Sequence, residues 1–202
     1  MEKHSYVGKT KEEAIEKATI DLQELKENLI ITVKEEKKSL LNKKVEIEVI
    51  EKRDLRTFIK SELQDLLYTM GYKVEIEMQM KEEMPIYRIY SNNDALLIGK
   101  NGKNLETLSY VLKQIVYNQI GAKYSFILDV SDYREKNDQH IAALAKKIAR
   151  DVARTKVEVK MDSMNSYQRR IVHQTLSNNK YVYTKSEGED PNRCVVVKPR
   201  EE

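Results

Sequence analysis

The sequence predicts an α+β protein built from three small domains, and three observations carry this. Alternating apolar runs and helix-spaced apolar stripes follow one another along the whole chain, with neither class dominating. The pattern of these elements changes near residues 52 and 130, which places the domains at 1–52, 53–130 and 131–202. The 202 residues include only six glycines and three prolines, so no long linker or low-complexity tract is expected between them.

The first segment reads strand, helix, strand, strand. Thr10 followed by Glu13 predicts a capping box, in which each side chain satisfies an N–H of the first helical turn. Ala14, Ile15, Ala18, Leu22 and Leu25 then recur at helical spacing. Leu29–Val33 and the alternating run Val45–Val49 predict the two later strands.

The second segment opens with an amphipathic helix whose predicted apolar face is Leu55, Phe58, Ile59, Leu66, Leu67 and Met70. Gly71 is its expected stop. Val74, Ile76, Met78 and Met80 alternate with polar residues, and Pro85 is expected to break that run before Ile86–Tyr90. A short helix ending at Ile98, a glycine loop and a second helix follow. The stripe of that second helix is Leu105, Leu108, Val111, Leu112, Ile115 and Val116, and a strand from Tyr124 to Val130 closes the segment. The predicted order is α-β-β-α-α-β.

The third segment begins with a long helix from Asp132, capped by Asp132 and Glu135, with Ile141, Leu144, Ala145, Ile148, Ala149 and Val152 inward. A strand at Lys156–Lys160, a helix over Ser163–Leu176 and strands at Tyr181–Lys185 and Cys194–Lys198 complete it. The three segments carry net charges of about −1, 0 and +4. The basic excess thus sits at the C-terminal end, the sign expected of a segment that touches phosphates.

Several classes are disfavoured. No stretch approaches the roughly 18 apolar residues of a membrane-spanning helix. The opening Met1-Glu2-Lys3-His4-Ser5-Tyr6 has no apolar stretch behind it, so the expected compartment is the cytoplasm. Cys194 is the sole cysteine, which excludes an intramolecular disulfide and a cysteine-based zinc cluster; it reads as a buried strand thiol. His4, His140 and His173 lack metal-ligand spacing. Asp94 and Glu106 flank the glycine loop without a catalytic partner and read as solvated charges. Neither a cofactor nor a metal is expected, and no carboxylate cluster or nucleophile–base pair suggests an enzyme.

Ile98-Gly99-Lys100-Asn101-Gly102-Lys103 lies between two helices and opens the second. Glycines let a backbone approach a phosphate closely, and the N-terminal end of the following helix favours an anion. Lys100 and Lys103 add mobile positive charge. The loop is neither a P-loop nor a dinucleotide fingerprint, since it lacks the spacing of both. Within α-β-β-α-α-β it resembles the type II KH fold of bacterial proteins. That resemblance implies that Gly99, Lys100, Asn101 and Gly102 clamp a nucleic-acid backbone, with Ile98 helping to floor a groove for bases.

Arg169 and His173 stand four apart on a helix and so share a face. A guanidinium beside an imidazole suits a phosphate, although a His hydrogen-bonded within its own domain fits the same spacing. Followed by Ser186-Glu187-Gly188 and Pro191-x-Arg193, the pair resembles the single-stranded nucleic-acid-binding module named after the Arg-x-x-x-His signature. The resemblance makes Arg169 and His173 signature residues, with Arg170, Lys180, Lys185 and Arg193 as flanking phosphate contacts.

A βαββ domain, a KH domain and an Arg-x-x-x-His module in that order resemble the Jag family (SpoIIIJ-associated protein) of bacteria. Asp129-Val130-x-x-Tyr133-Arg134 and Met164-Asn165-x-x-x-Arg169-Arg170 match it closely. The family's Gly-Phe-Leu-Gly loop is absent; Lys37-Lys38-Ser39-Leu40-Leu41-Asn42-Lys43-Lys44 stands there instead. The family's long interdomain linker is also missing, so the first two segments are expected to pack closely.

The resemblance implies a non-enzymatic protein that binds single-stranded RNA, or single-stranded DNA, and regulates gene expression after transcription in cell-envelope growth and division. The alternative it leaves open is an adaptor whose N-terminal domain docks a membrane-protein insertase. A KH-domain protein or a second copy of the chain is a further implied partner. Tyr87, Tyr90, Tyr181 and Tyr183 are candidate base-stacking residues, core packing being the competing reading.

Overall fold

The computed structural model describes residues 1–38 and 43–200. The chain forms two compact units, Met1–Ser131 and Asp132–Glu202. The first unit starts with β1 (His4–Gly8), α1 (Lys11–Asp21), a 3-10 turn at Lys26–Asn28, β2 (Leu29–Lys38) and β3 (Lys43–Glu51). These strands form an antiparallel sheet in the order β1-β3-β2. Ser39–Asn42, within the stretch that replaces the family's glycine-containing loop, lie outside the described residues.

Thr10 caps α1 by accepting the Glu13 N–H at 3.2 Å. The reciprocal bond of a capping box is displaced by one residue, because the Glu13 carboxylate accepts from the Lys9 N–H at 2.8 Å. Ala14, Ile15 and Ala18 pack onto Leu29, Val45, Ile47 and Val49. The predicted face runs too far: α1 ends at Asp21, and Leu25 beyond it is 64% exposed.

β3 runs directly into α2 (Lys52–Thr69), which buries Leu55, Ile59, Leu63 and Leu67. Leu63 is not part of the predicted face, and Met70, the helix's C-cap, is exposed. Gly71 ends α2 at φ 86°. Then come β4 (Val74–Lys81), β5 (Met84–Ser91), α3 (Asp94–Ile98), a tight turn at Lys100–Gly102, α4 (Lys103–Ile120) and β6 (Ile127–Val130). β5 pairs antiparallel to β4 and parallel to β6.

Three expectations shift here. Pro85 lies inside β5 opposite Met80, and the reversal is made at Glu82 and Glu83, with Glu82 left-handed at φ 57°. Met78 and Met80 are exposed because the outer half of β4 extends beyond the core. β6 begins at Ile127, later than Tyr124.

α4 buries Leu105, Leu108, Leu112, Val116 and Ile120, while Val111 is exposed. Its C-terminal carbonyls, which have no partner within a helix, are met by β2 and by the residue that precedes β1. Lys3 Nζ donates to the Gln119 carbonyl at 2.7 Å and Thr32 Oγ1 to the Ile120 carbonyl at 3.2 Å.

The second unit comprises α5 (Tyr133–Thr155), β7 (Val159–Ser163), α6 (Ser166–Leu176), β8 (Val182–Glu187) and β9 (Cys194–Pro199). Its antiparallel sheet has the order β7-β9-β8. Ile141, Ala145, Ala149 and Val152 of α5 pack with Val172 and Leu176 of α6 against Val182, Val195 and Val197. Cys194 is buried.

Here too the local signals misplace some ends. Asp132 is left-handed at φ 59° and makes no side-chain cap bond to α5. Lys156, left-handed at φ 59°, terminates α5 where the sequence predicts a strand, and β7 starts three residues later. α6 begins at Ser166, because Asn165 and Gln168 form the capping box that sets its start. β8 is shifted toward Glu187. Among the described residues no helix is long and apolar enough to cross a membrane.

Candidate nucleic-acid interface

The glycine loop is shaped by its backbone. α3 is capped by Asn93, whose side chain accepts the Leu96 N–H at 3.3 Å. The chain leaves α3 through Gly99 at φ 69° and ψ 179°, a region essentially closed to residues with a Cβ. Asn101 (φ 55°) and Gly102 (φ 80°) are both left-handed, and asparagine is among the few side-chain-bearing residues that adopt this conformation readily. The Gly102 N–H closes the turn on the Gly99 carbonyl at 3.2 Å.

Gly102 is the N-cap of α4 and has no side chain to cover the first-turn N–H groups. Those groups and the helix dipole make this end electropositive. Lys100, Asn101 and Lys103 are exposed around it, Ile98 and Gly99 are half-buried, and Gly102 is buried. The arrangement can hold an oxyanion against backbone N–H groups with two lysines nearby.

Two side chains outside the predicted set hold the loop. Asn104 Nδ2 donates to the Leu96 carbonyl at 2.8 Å, tying α3 to α4. Asp94 is no solvated charge: it accepts the Ser91 N–H at 2.9 Å and a hydrogen bond from the Ser131 hydroxyl. It therefore joins the start of α3 to the ends of β5 and β6.

In the second unit, α6 brings Arg169 and His173 to one face, but both are already engaged. Arg169 is 8% exposed. Its Nη1 donates to the Met164 carbonyl at 2.8 Å and lies 3.5 Å from the Asp190 carboxylate. His173 Nδ1 is 2.6 Å from the Thr184 hydroxyl and Nε2 is 2.9 Å from the Ser186 hydroxyl. Burial, and secondarily the Arg169 charge, push the imidazole below its ordinary pKa. Arg170, Lys180, Lys185 and Arg193 are exposed; Lys185 lies 3.8 Å from Glu187.

The sequence reading misses the hydroxyl partners of His173. Their signal is the i, i+2 spacing of Thr184 and Ser186, which puts both on one face of a strand. Of the tyrosines, Tyr87 is fully buried, donates to the Arg56 carbonyl at 3.0 Å and meets Phe126 edge-on at 5.8 Å. It is a core residue. Tyr90 is half-buried 3.5 Å from Glu77, while Tyr181 and Tyr183 are exposed. Among the described residues no group of three His, Cys, Asp or Glu could hold a metal ion.

Residues 139–199 match the domain family named after the Arg-x-x-x-His signature. RNA-binding protein KhpB of Clostridium symbiosum is 33% identical over 209 residues, covering 100% of this chain and 94% of that protein. RNA-binding protein KhpB of Bacillus subtilis is 32% identical over 198 residues, covering 94% and 95%. In Lactiplantibacillus plantarum, RNA-binding protein KhpB is 36% identical over 129 residues, covering 63% of this chain and 40% of that protein.

Proposed function

The chain belongs to the family of RNA-binding protein KhpB, the Jag family, and on that premise we propose that it binds single-stranded RNA without transforming it chemically. The observation that carries this reading is the Gly99–Gly102 loop. Its positive-φ backbone opens the N-terminus of α4 toward an anion between Lys100 and Lys103. A phosphodiester needs such a site, and it reads no sequence there; bases are recognised elsewhere.

The proposed backbone clamp is Ile98, Gly99, Lys100, Asn101, Gly102 and Lys103. The proposed second contact is the α6 and β8–β9 region of the C-terminal segment, where Arg170, Lys180, Lys185 and Arg193 are exposed around the signature residues Arg169 and His173. Residues 1–52, 53–130 and 131–202 act as three domains in this proposal. Two weak sites on one chain gain affinity through effective concentration. The biological role proposed is regulation of gene expression after transcription, in the cytoplasm, in support of envelope growth and division.

The test is binding of the intact chain to fluorescein-labelled single-stranded RNA, followed by anisotropy across a salt series. Affinity falls as salt rises, by about 0.7 in the log–log slope per phosphate contact. Gly102→Asp places a carboxylate where the phosphate sits, so most binding is lost. A Gly102→Asp variant that folds and binds as tightly as the parent overturns the loop assignment.

A further inference from the structure

The C-terminal signature pair is hydrogen-bonded within its own domain. Arg169 lies almost wholly inside, with its guanidinium on the Met164 carbonyl and near Asp190. Met164 in turn donates its own N–H to the Arg193 carbonyl at 3.1 Å. Arg169 thus holds the β8–β9 turn at two points, through Asp190 and through Met164 to Arg193. The turn is closed within itself by the Asn192 N–H on the Glu189 carbonyl at 2.8 Å.

His173 fixes the strand that enters the same turn. Its two ring nitrogens reach Thr184 and Ser186, alternate residues on one face of β8. Hydroxyls donate or accept as required, so either imidazole tautomer is satisfied and neither nitrogen is left over for a phosphate oxygen. Arg193 leaves the far end of the turn with an exposed side chain, whereas Lys185 is drawn to Glu187.

We infer that Arg169 and His173 are positioning residues that hold the β8–β9 turn and so present Arg193 to an RNA phosphate. The inference rests on the RNA-binding reading above and assigns the charge contact to Arg193. A preorganised cation loses less freedom on binding than one carried on a loose loop.

The experiment uses the intact chain and a fluorescein-labelled oligouridylate over a salt series. Arg193→Gln lowers the salt slope by about 0.7, one phosphate contact on a single strand. Arg169→Lys keeps the charge but replaces the rigid, planar guanidinium whose Nη1 meets both Met164 and Asp190 with an ammonium on a more flexible stem. It is expected to lower the slope by the same amount, and the Arg169→Lys/Arg193→Gln double variant by no more. A further loss of about 0.7 in the double variant makes Arg169 a direct ligand, a parental slope in Arg169→Lys shows that the Arg193 contact does not depend on it, and either result overturns the inference.

A second measurement needs no RNA. Amide exchange over Gly188–Arg193 is expected to rise in Arg169→Lys and His173→Asn and to stay parental in Arg193→Gln. Unchanged exchange in the first two variants overturns the positioning role. If the parent binds the oligouridylate without salt dependence, the RNA-binding reading fails and the assignment of Arg193 falls with it, while the exchange experiment still decides whether Arg169 and His173 hold the turn.

Discussion

Asn104 occupies the space that a side chain on Gly99 would need. A Cβ built on Gly99 lies 2.5 Å from Asn104 Cγ, and Asn104 Nδ2 donates to the Leu96 carbonyl at 2.8 Å. The residue that holds the loop closed thus adds a steric demand to the one that φ 69° and ψ 179° already make on Gly99. Gly99→Ala is expected to incur both this clash and a backbone cost of about 1–3 kcal/mol, losing stability and RNA affinity together. Adding Asn104→Ala relieves the clash but removes the Leu96 bond and leaves the backbone cost, so the parental stability is not regained. Asn104→Ala by itself costs about 0.5–1.5 kcal/mol. Denaturant unfolding and anisotropy on the same samples check all three.

Asp94 makes a second, separable prediction. Its carboxylate serves the Ser91 N–H and the Ser131 hydroxyl, and it sits in the first turn of α3, where negative charge is favoured. Asp94→Ala removes the link between α3, β5 and the end of β6. The expected loss is about 1–3 kcal/mol in urea unfolding. Full stability in Asp94→Ala would show that the link does not hold α3 in place.

Tyr87 separates core from interface. Burial pushes its phenol above the ordinary value, and its hydroxyl is spent on the Arg56 carbonyl. Tyr87→Phe therefore costs about 0.5–1.5 kcal/mol of stability and leaves RNA affinity at the parental level. Loss of affinity with the fold intact would return Tyr87 to the interface.

His173 predicts a pH dependence with a definite sign. Its folded pKa lies below the ordinary 6.5, first through burial and then through Arg169. The unfolded chain therefore binds the proton more readily than the folded one below that value. The stability contributed by neutral His173 is present above pH 6.5 and is lost as pH falls through the lower folded pKa. Thermal unfolding of the intact chain from about pH 7.5 to about pH 5 should show a fall that His173→Gln reduces. An identical pH profile in that variant would remove His173 as the source.

The glycine loop was legible in the sequence because backbone freedom there depends on the residue itself. Gly71, Gly99 and Gly102 take positive φ where glycines at a helix end or an anion loop are expected. The burial of Arg169 was not legible, since the spacing of Arg169 and His173 describes one helix face equally well in water and in a core. The partners that decide the matter, Asp190 and the Thr184/Ser186 hydroxyls, come from the next hairpin. The misplaced starts of β7 and α6 have separate local causes: Lys156 adopts a left-handed cap after α5, and Asn165 with Gln168 caps α6.

By itself the sequence determined the element order, most of the apolar faces of α2, α4 and α5, with Leu63 missed and Met70, Val111 and Leu144 exposed, and the position of the glycine loop. Each of these is governed by residues within a turn or two of one another, through helix periodicity, strand alternation and glycine conformation. Only the tertiary structure decided that β6 lies parallel to β5, that Asp94 meets Ser131 across 37 residues and that Thr32 caps α4 across 88. The physical reason is that a polar side chain has many competent partners in sequence, and which one it meets depends on which backbones packing brings within hydrogen-bond distance.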